Sequence, residues 1–144
     1  MRVHWRWTFL ALIGVQTLHS LEEYAYQLYL VFPPARAVSS FFSSDLATGF
    51  LIFNGALVLF GLWCFAFPIW REWRSATALA WVWVLIELIN GVGHPTWAIA
   101  AREYRPGVAT ACLLLPLALM LGWQLTRVAR GDPAPAPRRD AWTA

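Results

Sequence analysis

The chain has 144 residues, of which 59% are hydrophobic and only 13% charged. In soluble domains about a quarter of the residues are charged. This composition therefore excludes an ordinary water-soluble domain and indicates an integral membrane protein. The net charge of +3 comes from arginines that flank apolar runs. It is therefore not a nucleic-acid signal, and we expect no nucleic-acid partner.

Four apolar runs, at 7–30, 46–70, 77–101 and 108–128, are each long enough to cross ~30 Å of hydrocarbon as a helix. They predict an all-α fold, a polytopic bundle of four transmembrane helices formed by residues 1–130. Residues 131–144 are rich in Pro, Ala and Arg and predict a disordered cytoplasmic tail.

The distribution of arginines predicts the orientation. Eight of the eleven lie at the N-terminus, in the turn after the second run, or in the C-terminal flank and tail. Because positive charge is retained in the cytoplasm, both termini are predicted to be cytoplasmic. The expected location is the cell inner (plasma) membrane, as a multi-pass protein.

The first run contains the stretch TLHSLEEYAY at 17–26. On a helix that advances 100° per residue, Gln16, His19, Glu22, Glu23 and Tyr26 fall within about 120° of one another. An ionised carboxylate in mid-bilayer costs at least ~2.5 kcal/mol, so such residues normally face the bundle interior and mark a site. This stripe supplies the first candidate functional residues.

The connection after this run, FPPARAVSSFFSSD at 32–45, places Phe41 and Phe42 between serines. It predicts a short interfacial turn of helix that partly covers the outer mouth of the bundle, although a plain loop with both rings in the headgroups fits equally well. The second run then contributes Asn54, at about the depth of the first stripe.

In the third run, Trp83, Glu87, Asn90 and His94 fall within about 60° of one another. Counted at ~1.5 Å per residue, Glu87 to His94 lie at the same depth as His19 to Glu23. Pro95 cannot donate a hydrogen bond, which predicts a kinked or broken helix beside His94. Three runs therefore direct polar groups into one layer, more than helix adhesion requires, and we expect a functional site.

The turn YRPG at 104–107 lies beside the outer end of this layer. Two interpretations of Arg105 stay open: Arg102 and Arg105 are solvated interfacial anchors, or Arg105 holds an anionic headgroup or phosphate at the mouth of the site. Indole faces can stabilise developing positive charge in a cavity. The predicted substrate-binding residues are Tyr26, Asn54, Trp83, Trp97, Tyr104 and Arg105.

Three motifs can be read in order: HxxEE at 19–23, NxxxH at 90–94 and YxPG at 104–107. Together they resemble the HXXEE family of small bacterial integral membrane proteins, over about residues 15–125. The resemblance supports the choice of site residues. The family is of unknown function, so the resemblance implies no reaction.

The predicted catalytic residues are His19, Glu22, Glu23, Glu87, Asn90 and His94. The first hypothesis is a small membrane enzyme that performs acid-base chemistry, such as isomerisation or cyclisation, on an isoprenoid or another lipid. A desolvated Glu can donate a proton, an ionised neighbour can accept one, and His can relay it. Adjacent Glu22 and Glu23 point about 100° apart, which favours such a division of roles.

The second hypothesis is a metal-dependent hydrolase or oxygenase, in which His19, Glu23, Glu87 and His94 hold Zn or Fe. The third is a proton-coupled carrier or a non-catalytic accessory protein. The polar residues cluster at one level and do not form a path across the bilayer, which favours an enzyme. The expected partners are the lipid bilayer and a lipophilic small-molecule substrate, and assembly into a homo-oligomer stays open.

Overall fold

A computed structural model describes residues 4–131, and every regular element in that range is helical. The elements are α1 (His4–Ala25), α2 (Leu28–Val31), α3 (Pro33–Phe42), α4 (Leu46–Cys64), a π-helical turn (Phe65–Ile69), α5 (Ala76–Ala101) and α6 (Val108–Arg130). The predicted all-α class is confirmed. The predicted disordered tail and the arginines Arg2, Arg138 and Arg139, on which the predicted orientation partly rests, lie outside the described residues.

Three helices within residues 4–131 are long and apolar enough to cross a membrane: Leu46–Ile69, Ala76–Ala101 and Val108–Arg130. They correspond to the second, third and fourth predicted runs. The first predicted run does not qualify, so the structure has three candidate spans where the sequence predicted four. The 22-residue helix α1 is less hydrophobic than the other three, because one face of it carries Gln16, His19, Glu22 and Glu23.

The predicted limits of 7–30 required one continuous helix, but the structure divides the first run. α1 ends at Ala25, and Gln27 adopts a left-handed conformation with φ 56° before the single turn of α2. Pro33 and Pro34 then open α3 at the first helical positions, where a missing N–H costs no hydrogen bond. The connection predicted as an interfacial turn or a plain loop is therefore a ten-residue helix.

The sequence predicted a kink or a break of the third helix beside His94. The break is wrong, because α5 runs without interruption from Ala76 to Ala101, and the kink stays a prediction. Pro95 removes one backbone hydrogen bond, but the turns on either side remain helical. Gly91 lies against the backbone of Leu115 in α6, where an added Cβ would come within 2.8–3.0 Å. This close packing supports α5 at the level of the proline.

The helices pack unevenly, and this leaves space for a site. α5 packs along α6, α6 packs along α1, and α3 lies across α4, whereas α4 and α5 contact each other little. The larger hydrophobic core joins α1, α5 and α6 and includes Phe9, Leu12, Trp83, Leu114 and Leu121. A smaller core of Leu28, Tyr29 and Phe50 lies under α3. Along α1, the polar site residues lie between these two cores.

Candidate functional site

His19, Glu23 and His94 converge on one buried point between α1 and α5. The Oε1 atom of Glu23 lies 3.4 Å from Nε2 of His19 and 3.2 Å from Nε2 of His94. The two imidazole rings are nearly perpendicular, with centroids 4.7 Å apart. Helical spacing places His19 and Glu23 one turn apart on α1, and the bundle brings His94 to the same level. All three side chains are buried.

The hydrogen bonding of His94 fixes its tautomer. Its Nδ1 atom lies 2.6 Å from the carbonyl oxygen of Pro106. A carbonyl can only accept, so Nδ1 must carry a proton and donate it. In the neutral ring, Nε2 then presents its lone pair towards Glu23.

The same argument applies to His19. Its Nδ1 atom lies 2.8 Å from Oγ1 of Thr110, and that hydroxyl donates its only proton to Oε2 of Glu22 at 2.6 Å. Thr110 must therefore accept from Nδ1 of His19. The Nε2 atom of His19 is fully buried and makes no hydrogen bond. With both rings neutral, two imidazole lone pairs and one carboxylate oxygen face one another, and no proton donor lies among them.

Glu22 points away from this cluster and caps the N-terminus of α6. Its carboxylate accepts from the backbone N–H groups of Ala109 at 3.1 Å and Thr110 at 2.9 Å, from the Thr110 hydroxyl, and from the phenol of Tyr104. These N–H groups belong to the first turn of α6, which has no partners within its own helix. Desolvation and the bond to Glu22 raise the pKa of Tyr104, so its hydroxyl remains a donor. Glu22 therefore orients His19 through Thr110.

Gly107 brings the YRPG turn against both imidazoles. Its φ of +88° favours glycine, and an added Cβ would lie 2.7 Å from Cε1 of His19 and 2.8 Å from Cε1 and Nδ1 of His94. The preceding carbonyl, that of Pro106, is the acceptor for His94. The backbone of this turn thus forms one wall of the site.

A cavity of about 310 Å³ opens beside the cluster, between α1, α4 and α5 and beneath α3. Its polar lining includes Gln16, Glu23, Asn54, Asn90 and His94. Most of the remaining surface is apolar and comes from residues such as Phe32, Val38 and Phe50. The volume lies at the lower end of the range typical of small-molecule sites.

Glu87 does not join the three converging residues. It is completely buried on α5, accepts from Nδ2 of Asn90 at 3.3 Å, and faces the amide of Gln16. From Gln16, hydrogen bonds continue to Ser20 and Asn54. Glu87 is thus connected to the cavity through Gln16 and Asn90, which line it.

The predicted substrate-binding residues are placed differently from one another. Asn54 lines the cavity, and Trp97 lines a smaller adjoining one of about 130 Å³ with His94 and Asn90. Trp83 packs in the larger core against Phe9 and Phe60. The rings of Tyr26 and Tyr104 lie at the surface with centroids 5.0 Å apart, tilted by 52°, and the guanidinium of Arg105 lies 4.7 Å above the ring of Trp97.

Two residues of the site escaped the sequence analysis. Thr110 binds both His19 and Glu22, yet a threonine at the third position of an apolar helix gives no signal by itself. Ser20 links Gln16 to Asn54. The sequence singled out only the ionisable residues beside Ser20, because their burial in a membrane is costly. Both roles depend on contacts between helices.

The chain matches a known protein family. Residues 7–121 match the family described as "Protein of unknown function with HXXEE motif". No curated protein and no solved structure matches the chain. The match extends over most of the chain and includes the HxxEE, NxxxH and YxPG segments, which confirms the resemblance seen in the sequence, and the protein therefore belongs to the HXXEE family.

Proposed function

We propose that this protein is a membrane-embedded, metal-dependent enzyme that acts on a lipid-soluble molecule. His19, Glu23 and His94 are the proposed metal ligands. The observation that carries the proposal is the convergence of two imidazole lone pairs and a carboxylate oxygen on one buried point. Three acceptors in contact repel one another unless a cation or additional protons lie between them.

The distances suit a metal ion. Two ligands that are each ~2.0–2.2 Å from a tetrahedral Zn²⁺ lie about 3.4 Å apart, close to the 3.4 Å and 3.2 Å that separate Glu23 Oε1 from the two Nε2 atoms. Two His and one carboxylate form a ligand set used by both catalytic Zn²⁺ and non-haem Fe²⁺. We therefore propose one of these two metals.

The surroundings of the histidines also support a metal centre. Metal-binding imidazoles usually donate their other N–H to a carbonyl or a carboxylate, which fixes the ring and its tautomer. His94 donates to the carbonyl of Pro106, and His19 donates to Thr110, which in turn is held by Glu22. Glu22 thereby acts as a positioning residue.

Three protein ligands leave coordination positions free, and Glu23 and His94 both line the cavity. A bound Zn²⁺ would supply an activated water for hydrolysis, and Fe²⁺ would supply chemistry with oxygen. Asn54 and Asn90 offer hydrogen bonds to a polar group of the substrate, while the apolar lining accommodates its hydrocarbon part. Glu87 is assigned no metal-binding role, since its partners are Gln16 and Asn90.

The position of the cavity supports the proposal of a lipid-soluble substrate. The helices around it present large apolar side chains outward, among them Leu59, Ile89 and Ile99. Such a surface suits lipid contact. A molecule dissolved in the bilayer can therefore approach the cavity where α4 and α5 pack loosely.

Acid-base chemistry without a metal is the second candidate. Glu23 lies 3.2 Å from Nε2 of His94, and both line the cavity. In a metal-free protein this pair could exchange a proton with a bound molecule, as an isomerase or a cyclase requires. Glu22 is not available as the acid of such a pair, because its oxygens already accept four hydrogen bonds.

Metal analysis by plasma mass spectrometry tests the proposal. Detergent-purified wild-type protein is compared with His19→Ala, Glu23→Gln and, as a control, Glu103→Gln, whose side chain is exposed. We expect near-stoichiometric Zn or Fe in the wild type and the control, and loss of the metal in the first two variants. Folded wild-type protein that contains no metal after purification without chelators would refute the metal centre and favour acid-base chemistry.

The metal that is found directs the search for a substrate. Proteoliposomes that contain wild-type protein or Glu23→Gln are incubated with extracted membrane lipids, with oxygen present or excluded, and the lipids are compared by mass spectrometry. Products formed only by the wild type identify the substrate. No difference between the two proteins across neutral lipids and phospholipids would argue against an enzyme.

A further inference from the structure

Glu87 is the most completely buried carboxyl group in the described part of the chain, and it lies outside the proposed metal site. Its relative exposure is 0%, compared with 7% for Glu23. It belongs to a line of polar side chains that crosses from α5 through α1 to α4. The members of this line are Glu87, Gln16, Ser20 and Asn54.

At the Asn54 end of the line, the hydrogen bonds can run from donor to acceptor in only one direction. Nδ2 of Asn54 donates to the backbone carbonyl of Phe50 at 3.1 Å, so Oδ1 of Asn54 must face Ser20. The Ser20 hydroxyl donates to that oxygen at 2.9 Å, which uses its only proton. Ser20 must then accept from Gln16, and Nε2 of Gln16 is placed to donate at 3.1 Å.

With its nitrogen on Ser20, Gln16 turns its carbonyl oxygen towards Glu87, at 2.9 Å and 3.0 Å from the two carboxyl oxygens. A carboxylate cannot bond to a carbonyl oxygen, because both are acceptors. A protonated carboxyl can, since it has one O–H to donate. In that state the line consists of four hydrogen bonds, each with one donor and one acceptor.

The opposite orientation of Gln16 leaves a defect. Its nitrogen would donate to an ionised Glu87, and its oxygen would accept from Ser20 at 3.1 Å. The Ser20 hydroxyl would then no longer donate to Oδ1 of Asn54. The two oxygen atoms would face each other inside the bundle as two acceptors without a proton between them. The ionised form would also bury a negative charge that its hydrogen-bond partners, the uncharged amides of Gln16 and Asn90, do not neutralise.

We infer that Glu87 is a neutral carboxylic acid, and that its proton sets the direction of the hydrogen-bond line from α5 to α4.

Glu87 is in this way a positioning residue for the cavity. Its O–H holds the Gln16 carbonyl, and its other oxygen accepts from Nδ2 of Asn90. Both amides line the cavity, and Asn90 is left with its carbonyl oxygen for a bound molecule. The cavity therefore offers an acceptor to a hydrogen-bond donor such as a hydroxyl group. The inference does not require a metal.

Infrared spectroscopy tests the protonation state directly. Purified wild-type protein, Glu87→Gln and the exposed control Glu103→Gln are compared at neutral pH in the region of the carboxyl stretches. We expect Glu87→Gln to lose the carbonyl band of a protonated acid and Glu103→Gln to lose only carboxylate bands. Loss of carboxylate bands in Glu87→Gln, with the acid band unchanged, would overturn the inference.

A second sample covers the case in which Glu87→Gln does not fold. Protein in which all glutamates carry a ¹³C-labelled carboxyl group must show a shifted acid band, and that band must persist in Glu23→Gln. Its absence from either sample would also overturn the inference. Metal content is measured on the same preparations, so that failure of the metal site is seen separately.

The positioning role is tested by comparing Glu87→Gln with Glu87→Leu. The glutamine amide can donate to the Gln16 carbonyl and accept from Asn90, so it reproduces the neutral acid. Leucine can do neither and leaves both amides unpaired. We expect Glu87→Gln to melt near the wild type and Glu87→Leu to melt roughly 5 °C lower or more. Equal losses in the two variants would contradict a role that depends on the proton.

Discussion

Gly107 is the residue of the YRPG turn at which an added side chain would meet both imidazoles of the site. The Cβ of an alanine would lie 2.7–2.8 Å from atoms of His19 and His94, and the φ of +88° adds strain. We expect Gly107→Ala to displace both rings and to weaken metal binding by ~10–100-fold, as loss of an outer-sphere contact does. The measurement is metal affinity by competition with a chelator.

Gly93→Ala is the matched control for Gly107→Ala. Gly93 is one residue from His94, but nothing lies within 4 Å of an added Cβ there. We expect its metal affinity to equal that of the wild type. Equal weakening in both variants would show that any added methyl group in this region disturbs the site, and the specific role of Gly107 would be lost.

Glu22 and Glu23 are adjacent in the sequence but have different roles. In Glu22→Gln, an amide replaces a carboxylate that accepts four hydrogen bonds. One of the two acceptor oxygens becomes an NH2 group, which then faces a donor. We expect this variant to lose about 1–3 kcal/mol of stability. Thermal melts in detergent measure this, and Glu103→Gln should change stability by no more than about 0.5 kcal/mol. Equal stability of Glu22→Gln and the wild type would contradict the capping role.

Sequence reasoning found most of the residues of the site at this scale, because an ionisable side chain in an apolar run is costly and therefore conspicuous. It could not assign their roles. Glu22 and Glu23 differ by 100° around α1, but only the position of α6 shows that Glu22 meets backbone N–H groups. By helical angle, Trp83 lies on the polar face of α5. Its position along the helix, however, is away from the level of the site, and it packs in the hydrophobic core.

At the scale of whole elements, α3 covers the cavity and comes very close to α4 at one glycine. Gly49 of α4 lies against the backbone of Ser39, where an added Cβ would be 2.0 Å from the carbonyl oxygen. Backbone cannot move aside as a side chain can, so Gly49→Ala must push α3 away from α4. We expect a lower melting temperature and faster hydrogen exchange in α3, measured by mass spectrometry.

Gly55→Ala on the same helix is the control for this contact. No atom lies within 4 Å of its added Cβ. Because alanine is favoured over glycine within a helix by ~1 kcal/mol, we expect unchanged or slightly higher stability and unchanged exchange in α3. Fast exchange of α3 already in the wild type would show that α3 is not a fixed cover.

The limits of helices were predictable where a local signal existed. Prolines at 33 and 34 open α3, and Asp45 caps α4 by accepting from the N–H of Thr48 at 2.9 Å. The end of α1 has no such signal, because Gln27 is the left-handed residue and neither glycine nor proline is near. The expected break at Pro95 failed for the opposite reason: packing of α5 on α6 outweighs the local signal.

At the scale of the whole molecule, the open question is whether α1 also crosses the membrane. Its 22 residues span ~33 Å, enough for the ~30 Å hydrocarbon core. Its polar side chains face inward, with Gln16 and His19 at 1% and 0% exposure, whereas Leu18 and Leu21 on the other face are 53% and 55% exposed. Averaged hydropathy does not separate these two faces. We therefore expect α1 to cross the membrane as well, which requires both termini to lie on the same side.

Labelling with a membrane-impermeant thiol reagent tests this topology. Single cysteines are placed near each end of a chain in which Cys64 and Cys112 have been replaced, and intact cells are compared with opened membranes. Four spans require that both positions react alike, and the predicted cytoplasmic orientation requires that both are labelled only after the membranes are opened. Three spans require that one end reacts in intact cells, and that result would place His19 and Glu23 on a helix outside the hydrocarbon core. The site would then face water on one side, and a lipid-soluble substrate would no longer follow from its position.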